Sequence, residues 1–306
     1  MTYASGRAFR QALESRLREQ ALQTSTPLVR LRKLVAFDRF LARLASAHSH
    51  PWLLKGGFAL QLRLADRARL TKDIDLLLRL PDADARLLLQ QAVARDLGDW
   101  FAFAVAAPAQ AGALAFVQRF PVHSLLDGRT FENFHVDVGA GDPVVGEPDV
   151  LRTPALLAFA GLEPTAFPAY PLTQHIAEKL HAYTQPHQVG EGTRVRDLVD
   201  LLLIAGHARI ESGRLREAIE ATFRVRATHA LPTLLPAPPS AWRAPFRQLA
   251  REVGLAQQDL TAGYAAAAQF LDPVLRAQAG GFWDTARWRW AEAGNDAPGM
   301  PAHTNP

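Results

Sequence analysis

Residues 53–80, LLKGGFALQLRLADRARLTKDIDLLLRL, restrict the fold more than any other stretch of the chain. The apolar segment before Gly56 and Gly57 reads as a short strand, Phe58, Leu62 and Ala65 resume helical spacing, and TKDIDLLLRL returns to a strand. Strand, glycine turn, helix and strand together need a sheet to accept both strands. Aspartate is among the poorest strand formers. Yet Asp73 and Asp75 lie two positions apart in the second strand, so they project from one face while Ile74 points to the other. Two neighbouring carboxylates repel unless one is protonated or a cation lies between them. A bare D-x-D is also compatible with a solvated strand end.

The rest of the chain supplies the sheet. Residues 5–22 and 28–48 have helical spacing, as does DADARLLLQQAVARDLG, whereas DWFAFAVAAP, ALAFVQRFPVHSLL and TFENFHVDVGAG read as further strands. Residues 50–145 are therefore expected to form a mixed α/β sheet, within an α+β chain. A domain boundary is expected near residue 150. Residues 1–150 would hold the N-terminal helices and the α/β domain, and 151–306 a mainly helical domain without comparable strands. TPALLAFAGL, PLTQHIAEKLHAYTQ, TRVRDLVDLLLIAGHA and SGRLREAIEATFRVRA all show helical spacing. The proline-rich stretch 231–242 reads as a linker or stiff surface loop. WDTARWRWAEA reads as a last helix, with Trp283, Arg287 and Trp290 on one face, and the final dozen residues as disordered.

Gly56 and Gly57 allow close approach of backbone N–H groups at a helix start, where a phosphate is favoured. The carboxylates suit a hard divalent cation such as Mg²⁺. A third acid, Asp137, follows in FHVDVGAG, with Val136 and Val138 on the opposite face. Three strand carboxylates can hold two metal ions, which activate a hydroxyl and steady a departing pyrophosphate. His135 shares that face and is read as a structural hydrogen-bonding residue.

WLLKGGFALQLRL...RLTKDIDLLL resembles the first motif of the AbiEii/AbiGii toxin family, a branch of the DNA polymerase β-like nucleotidyltransferases. LTQHIAEKLHAY resembles the family's lysine-bearing helix, and RVRDLVDLLL the helix that follows it. The likeness covers roughly residues 50–205 in the family's order. It implies that Asp73 and Asp75 bind metal (Mg²⁺, replaceable by Mn²⁺), that Lys179 contacts nucleotide phosphates, and that Asp197 or Asp200 completes the site. Lys179 borders the apolar stripe Leu172, Ile176, Leu180 and Tyr183, where an ammonium needs a partner. Asp200 lies among Val199, Leu201 and Leu202, where burial demands a cation. A purely structural Lys–Asp tie between two helices gives the same pattern.

The resemblance further implies transfer of an NMP from an NTP to RNA, with the tRNA 3′ end as acceptor, by a toxin with a separately encoded antitoxin. Thr71 occupies the place where relatives carry Ser or Thr, a hydroxyl that in one branch is phosphorylated; the same hydroxyl can cap the strand entry. Phe58 replaces the Ser or Thr that relatives carry after the glycines. A small-molecule nucleotidyltransferase and an inactive nucleotide- or RNA-binding protein therefore stay open. The absence of cysteine removes thiol chemistry and Cys-ligated metals and suits a reducing cytoplasm. No apolar run is long enough for a membrane span. The net charge of +4 is small, but Arg63, Arg67, Arg69 and Lys72 surround the motif and Arg194 and Arg196 precede Asp197, a pattern suited to phosphates.

Overall fold

A computed structural model describes residues 3–46, 51–69, 71–80, 82–108, 117–186 and 194–292, apart from the side chain of residue 66. The expected disorder of the last dozen residues lies outside them. The chain divides into two compact units, 1–175 and 176–306.

In the first unit, α1 (Gly6–Thr24) and α2 (Leu28–Ala45) precede β1 (Trp52–Lys55), α3 (Gly56–Leu64) and β2 (Asp73–Leu78). There follow α4 (Ala85–Val93), β3 (Phe101–Val105), β4 (Val117–Leu126), β5 (Arg129–Ala140), β6 (Asp149–Arg152) and β7 (Ala166–Ala169). The strands form a mixed sheet in the order β3-β4-β5-β2-β1-β7-β6. β2 runs parallel to β5 and antiparallel to β1.

Alternation along the central strands decides which face carries the core. Ile74, Leu76, Leu78, Val136 and Val138 are buried together with Leu31, Val35, Phe37 and Leu41 of α2 and Phe9 and Leu13 of α1. Burial of such side chains contributes roughly 1.5–3 kcal/mol each and ties these helices to that face. The opposite face has, among the described residues, a small apolar cluster of Leu53, Leu77 and Tyr170, and it carries the acids.

β4 and β5 meet at a two-residue turn in which Asp127 and Gly128 both have positive φ, 53° and 70°. That is the backbone of a tight hairpin matching strand twist. The pairing then slips at Ser124/Leu125, a bulge in which the Ser124 hydroxyl donates to the Glu132 carbonyl and accepts from the Glu132 N–H. A buried ionic cluster lies beneath α2. Arg43 makes a bidentate pair with Asp99 at 3.0 and 2.7 Å, and Asp38 accepts from the Thr153 hydroxyl and Thr165 N–H.

The strands β6 and β7 correct the expectation that none follows residue 150. Each has four residues, too few to display a two-residue period, and together they close one edge of the sheet. TPALLAFAGL is not an α-helix either. Pro154 and Gly161 (φ 73°) bracket it, leaving room for one 3₁₀ turn at Ala158–Ala160.

The second unit is built on helices, with α5 (Leu172–Thr184) entering it, α6 (Val195–His207), α7 (Ser212–Arg226), α8 (Arg243–Glu252) and α9 (Leu260–Leu275). α6 is almost wholly buried, from Leu198 to Ala205. Residues 231–239 form an irregular strap held within this unit. Tyr183 and Tyr264 donate to the carbonyls of Pro236 and Leu235, and the Leu235 N–H donates to Asp272.

WDTARWRWAEA is not a helix but a hairpin of β8 (Phe282–Asp284) and β9 (Arg289–Ala291). Asp284 caps its turn by accepting from the N–H groups of Ala286 and Arg287, and Trp283 pairs with Trp290 across the strands. Indole N–H groups of Trp283, Trp288 and Trp290 donate to the carbonyls of Ala205, Ala266 and Phe270. These tryptophans therefore pack the terminal hairpin onto helices. No helix among the described residues is long and apolar enough to cross a membrane.

Candidate active site

The first group of site residues is assembled by strand register. Asp75 lies opposite Asp137, and Asp73 opposite His135, in the parallel pair β2/β5. Across the other ladders Asp75 lies opposite Lys55 and Asp137 opposite Arg119. One row across four strands thus reads Arg119, Asp137, Asp75, Lys55, two anions flanked by two cations, with Asp73 and His135 one step along the same face.

The side-chain contacts follow this order. The Arg119 guanidinium donates from Nε and Nη2 to the two oxygens of Asp137, at 2.7 and 2.6 Å, and its Nη2 is 3.7 Å from Asp73 Oδ2. His135 Nδ1 stands 3.3 Å from Asp73 Oδ1. The Lys55 ammonium donates to Asp142 at 2.8 Å and lies over the Tyr170 ring. Hydrogen bonding to Asp137 holds the Arg119 guanidinium above its ordinary pKa. Burial opposes this, and the charges of Asp137, Asp73 and Asp75 add to it.

The glycines serve the same acids. Gly56 has φ 63°, and a Cβ there would fall 1.9 Å from Asp75 Oδ2. Gly57 donates its N–H to that oxygen at 3.3 Å, and a Cβ on it would meet the Thr71 hydroxyl at 2.9 Å. Only glycine lets the start of α3 lie so close to Asp75. The Thr71 hydroxyl donates to the Asp73 carbonyl, which fixes the entry to β2. Phe58 points away from this group. It is fully buried in the α2 core, 4.8 Å from Phe37 in an edge-to-face pair, so its bulk is directed to the side of the sheet opposite the acids.

The second group lies in the second unit. Lys179 of α5 donates to Asp197 at 3.3 Å and forms an ion pair with Asp200 at 2.6 Å. Arg194 also donates to Asp197. Asp200 is wholly buried and Lys179 is 6% exposed. A carboxylate in that setting is stable only with its cation in place.

Asp73, Asp75, Asp137, Gly56, Gly57 and Thr71 therefore come together in the first unit, and Lys179, Asp197 and Asp200 in the second. Of the expected basic cluster, Arg63 is engaged structurally, donating to the Tyr170 carbonyl and pairing with Asp149. Arg67 and Lys72 are exposed. Arg119, Lys55 and Asp142 are additions that the sequence motifs did not single out.

In the carboxylate group all candidate ligands are hard oxygen donors, and a cation, the Arg119 guanidinium, already lies against two of them. That donor chemistry suits Mg²⁺ or Mn²⁺. Among the described residues, no three His, Asp or Glu side chains converge as a ready ligand set.

Comparison with known proteins gives two findings. The family described as nucleotidyl transferase AbiEii toxin, type IV toxin–antitoxin system, matches residues 39–293. Among solved structures the chain is similar to MenT4, a nucleotidyltransferase toxin from Mycobacterium tuberculosis H37Rv, with a TM-score of 0.53 and 18% identity over 87% of this chain and 98% of that one. At that identity the likeness is one of fold. No curated protein matches significantly.

Proposed function

Since the chain belongs to the AbiEii family of nucleotidyltransferase toxins of type IV toxin–antitoxin systems, we propose that it transfers an NMP from an NTP to a hydroxyl of RNA, the tRNA 3′ end being the first candidate. A separately encoded antitoxin restrains it. The observation that carries this reading is the β2/β5 register, which sets Asp73, Asp75 and Asp137 on one face of the sheet.

In the transfer, the acceptor oxygen forms a bond to the α-phosphorus as the bond to the β-phosphate breaks, and pyrophosphate departs. The carboxylates of the row are the available acceptors for the hydroxyl proton. A divalent cation held by Asp73, Asp75 and Asp137 would, when bound, lower the pKa of that hydroxyl and offset phosphate charge. Gly56 and Gly57 keep the start of α3 against Asp75, a helix N-terminus that favours an anionic ligand. Lys179 is the candidate phosphate contact of the second unit, with Asp200 and Asp197 holding its ammonium in place.

Incubation with Mg²⁺, each labelled NTP and either total RNA or a panel of small hydroxyl compounds tests the proposal. Label entering RNA, and none with Asp73→Ala/Asp75→Ala, is the expected result. Label entering only the small compounds would replace RNA as acceptor, and transfer by neither route would end the reading.

A further inference from the structure

The geometry points to Arg119 as a resident cation that competes with the divalent metal for Asp137 and Asp73, so that metal enters only as the guanidinium leaves. This rests on the reading of those carboxylates as metal ligands. Both oxygens of Asp137 are taken by the Arg119 fork, and Asp73 has one oxygen toward Arg119 and the other toward His135. Carboxylates committed in this way are not offered jointly to one ion.

The fold places Arg119 here by a specific device. Counting back from the hairpin turn, where Leu126 pairs with Arg129, an unbroken ladder would set Arg119 opposite Val136, although the alternation of β4, with Phe120 and Val122 buried, already turns Arg119 away from the core. The bulge at Ser124/Leu125 shifts the register by one, and Arg119 lies opposite Asp137 instead. The extra residue, Phe131, lies in β5, so the bulge re-aims the β5 side chains and brings Asp137, not Val136, to the face that Arg119 occupies.

The arrangement is also reversible. The Arg119 side chain is 51% exposed, so it can turn into water, whereas that of Asp137 is 15% exposed and keeps its place. Arg119 therefore has two effects. It neutralises the acids while no metal is bound, and it lowers their affinity for metal. An ion pair with one exposed partner corresponds to about a fivefold competition.

Mn²⁺ binding to the full chain without nucleotide, followed by the loss of the free-ion electron paramagnetic resonance signal, tests this. Arg119→Gln should bind Mn²⁺ about fivefold more tightly than wild type. Arg119→Lys, which keeps the charge and loses the planar fork, should fall between them. Equal or weaker binding by Arg119→Gln, while Asp137→Asn weakens it, would overturn the role of Arg119 and leave the metal reading standing. Arg119→Lys indistinguishable from wild type would support competition by charge and overturn the part given to the planar fork. Binding that Asp73→Asn and Asp137→Asn leave unchanged would remove the metal reading and the competition together.

Discussion

Asp200→Ala removes the anion 2.6 Å from the Lys179 ammonium at a point fully shut off from solvent. Breaking one partner of a buried pair costs about 3–5 kcal/mol. Asp197 stays 3.3 Å away and is partly exposed, which retains part of the interaction, so we expect the lower end, about 3 kcal/mol. In urea this lowers the unfolding midpoint by about 1–2 M. The paired variant Lys179→Met/Asp200→Leu removes both charges at similar volume and should stay within about 1 kcal/mol of wild type. It separates two roles for the lysine: a tie between α5 and α6 predicts a folded, active double variant, and a phosphate contact predicts a folded, inactive one. An Asp200→Ala midpoint equal to that of wild type would refute the energetic reasoning, and full activity of the double variant would refute the role of Lys179.

Three further expectations can be checked independently. Gly56→Ala puts a methyl group 1.9 Å from Asp75 Oδ2 and a side chain at φ 63°, which costs about 1–2 kcal/mol for the backbone alone; NMP transfer should fall at least tenfold while circular dichroism stays native. Asp99→Ala strands the fully buried Arg43 and should cost about 3–5 kcal/mol, read by thermal unfolding. Burial first, and the neighbouring Tyr264 second, raise the Tyr183 hydroxyl above its ordinary pKa of 10.0. A raised folded-state value means that this stability is present below pH 10 and is lost as pH rises through that value and beyond. The melting temperature of wild type should therefore fall more steeply between pH 9 and 11 than that of Tyr183→Phe, which at pH 7.5 gives up about 1 kcal/mol with its hydrogen bond to Pro236.

The residues carrying local periodicity could be read before folding. Asp73, Asp75 and Asp137 each sit in a strand whose alternate positions are apolar, so their shared face followed from a period of two. The glycines could be read as a turn, but not as the spacers that let α3 lie against Asp75, because that contact depends on how β1 and β2 pair. Arg119 was hidden for a sharper reason. Its face follows from the alternation of β4, but its partner is set by the bulge in β5, and a count from the Asp127–Gly128 turn places it opposite Val136, one residue out of register.

Phe58 looked like a missing hydroxyl at the site, and the structure turns it into the α2 core beside Phe37. β6 and β7 escaped notice because four-residue strands carry no measurable period. The terminal tryptophans matched a helical face by spacing, yet cross-strand pairing of Trp283 with Trp290 and the Asp284 cap made a hairpin of the same residues. At Phe58 and at the tryptophans a tertiary contact overrode a local pattern.

The central claim is that Asp73, Asp75 and Asp137 form the reacting centre, and the initial rate of label transfer from NTP to RNA by Asp137→Asn tests it most directly. The substitution keeps the shape of the side chain in a strand whose ladder is otherwise intact. We predict a rate at least ~100-fold below wild type with an unchanged melting profile, the scale expected when a charge-stabilising group is lost. A rate within a few-fold of wild type would contradict the account and move the chemistry away from this face of the sheet.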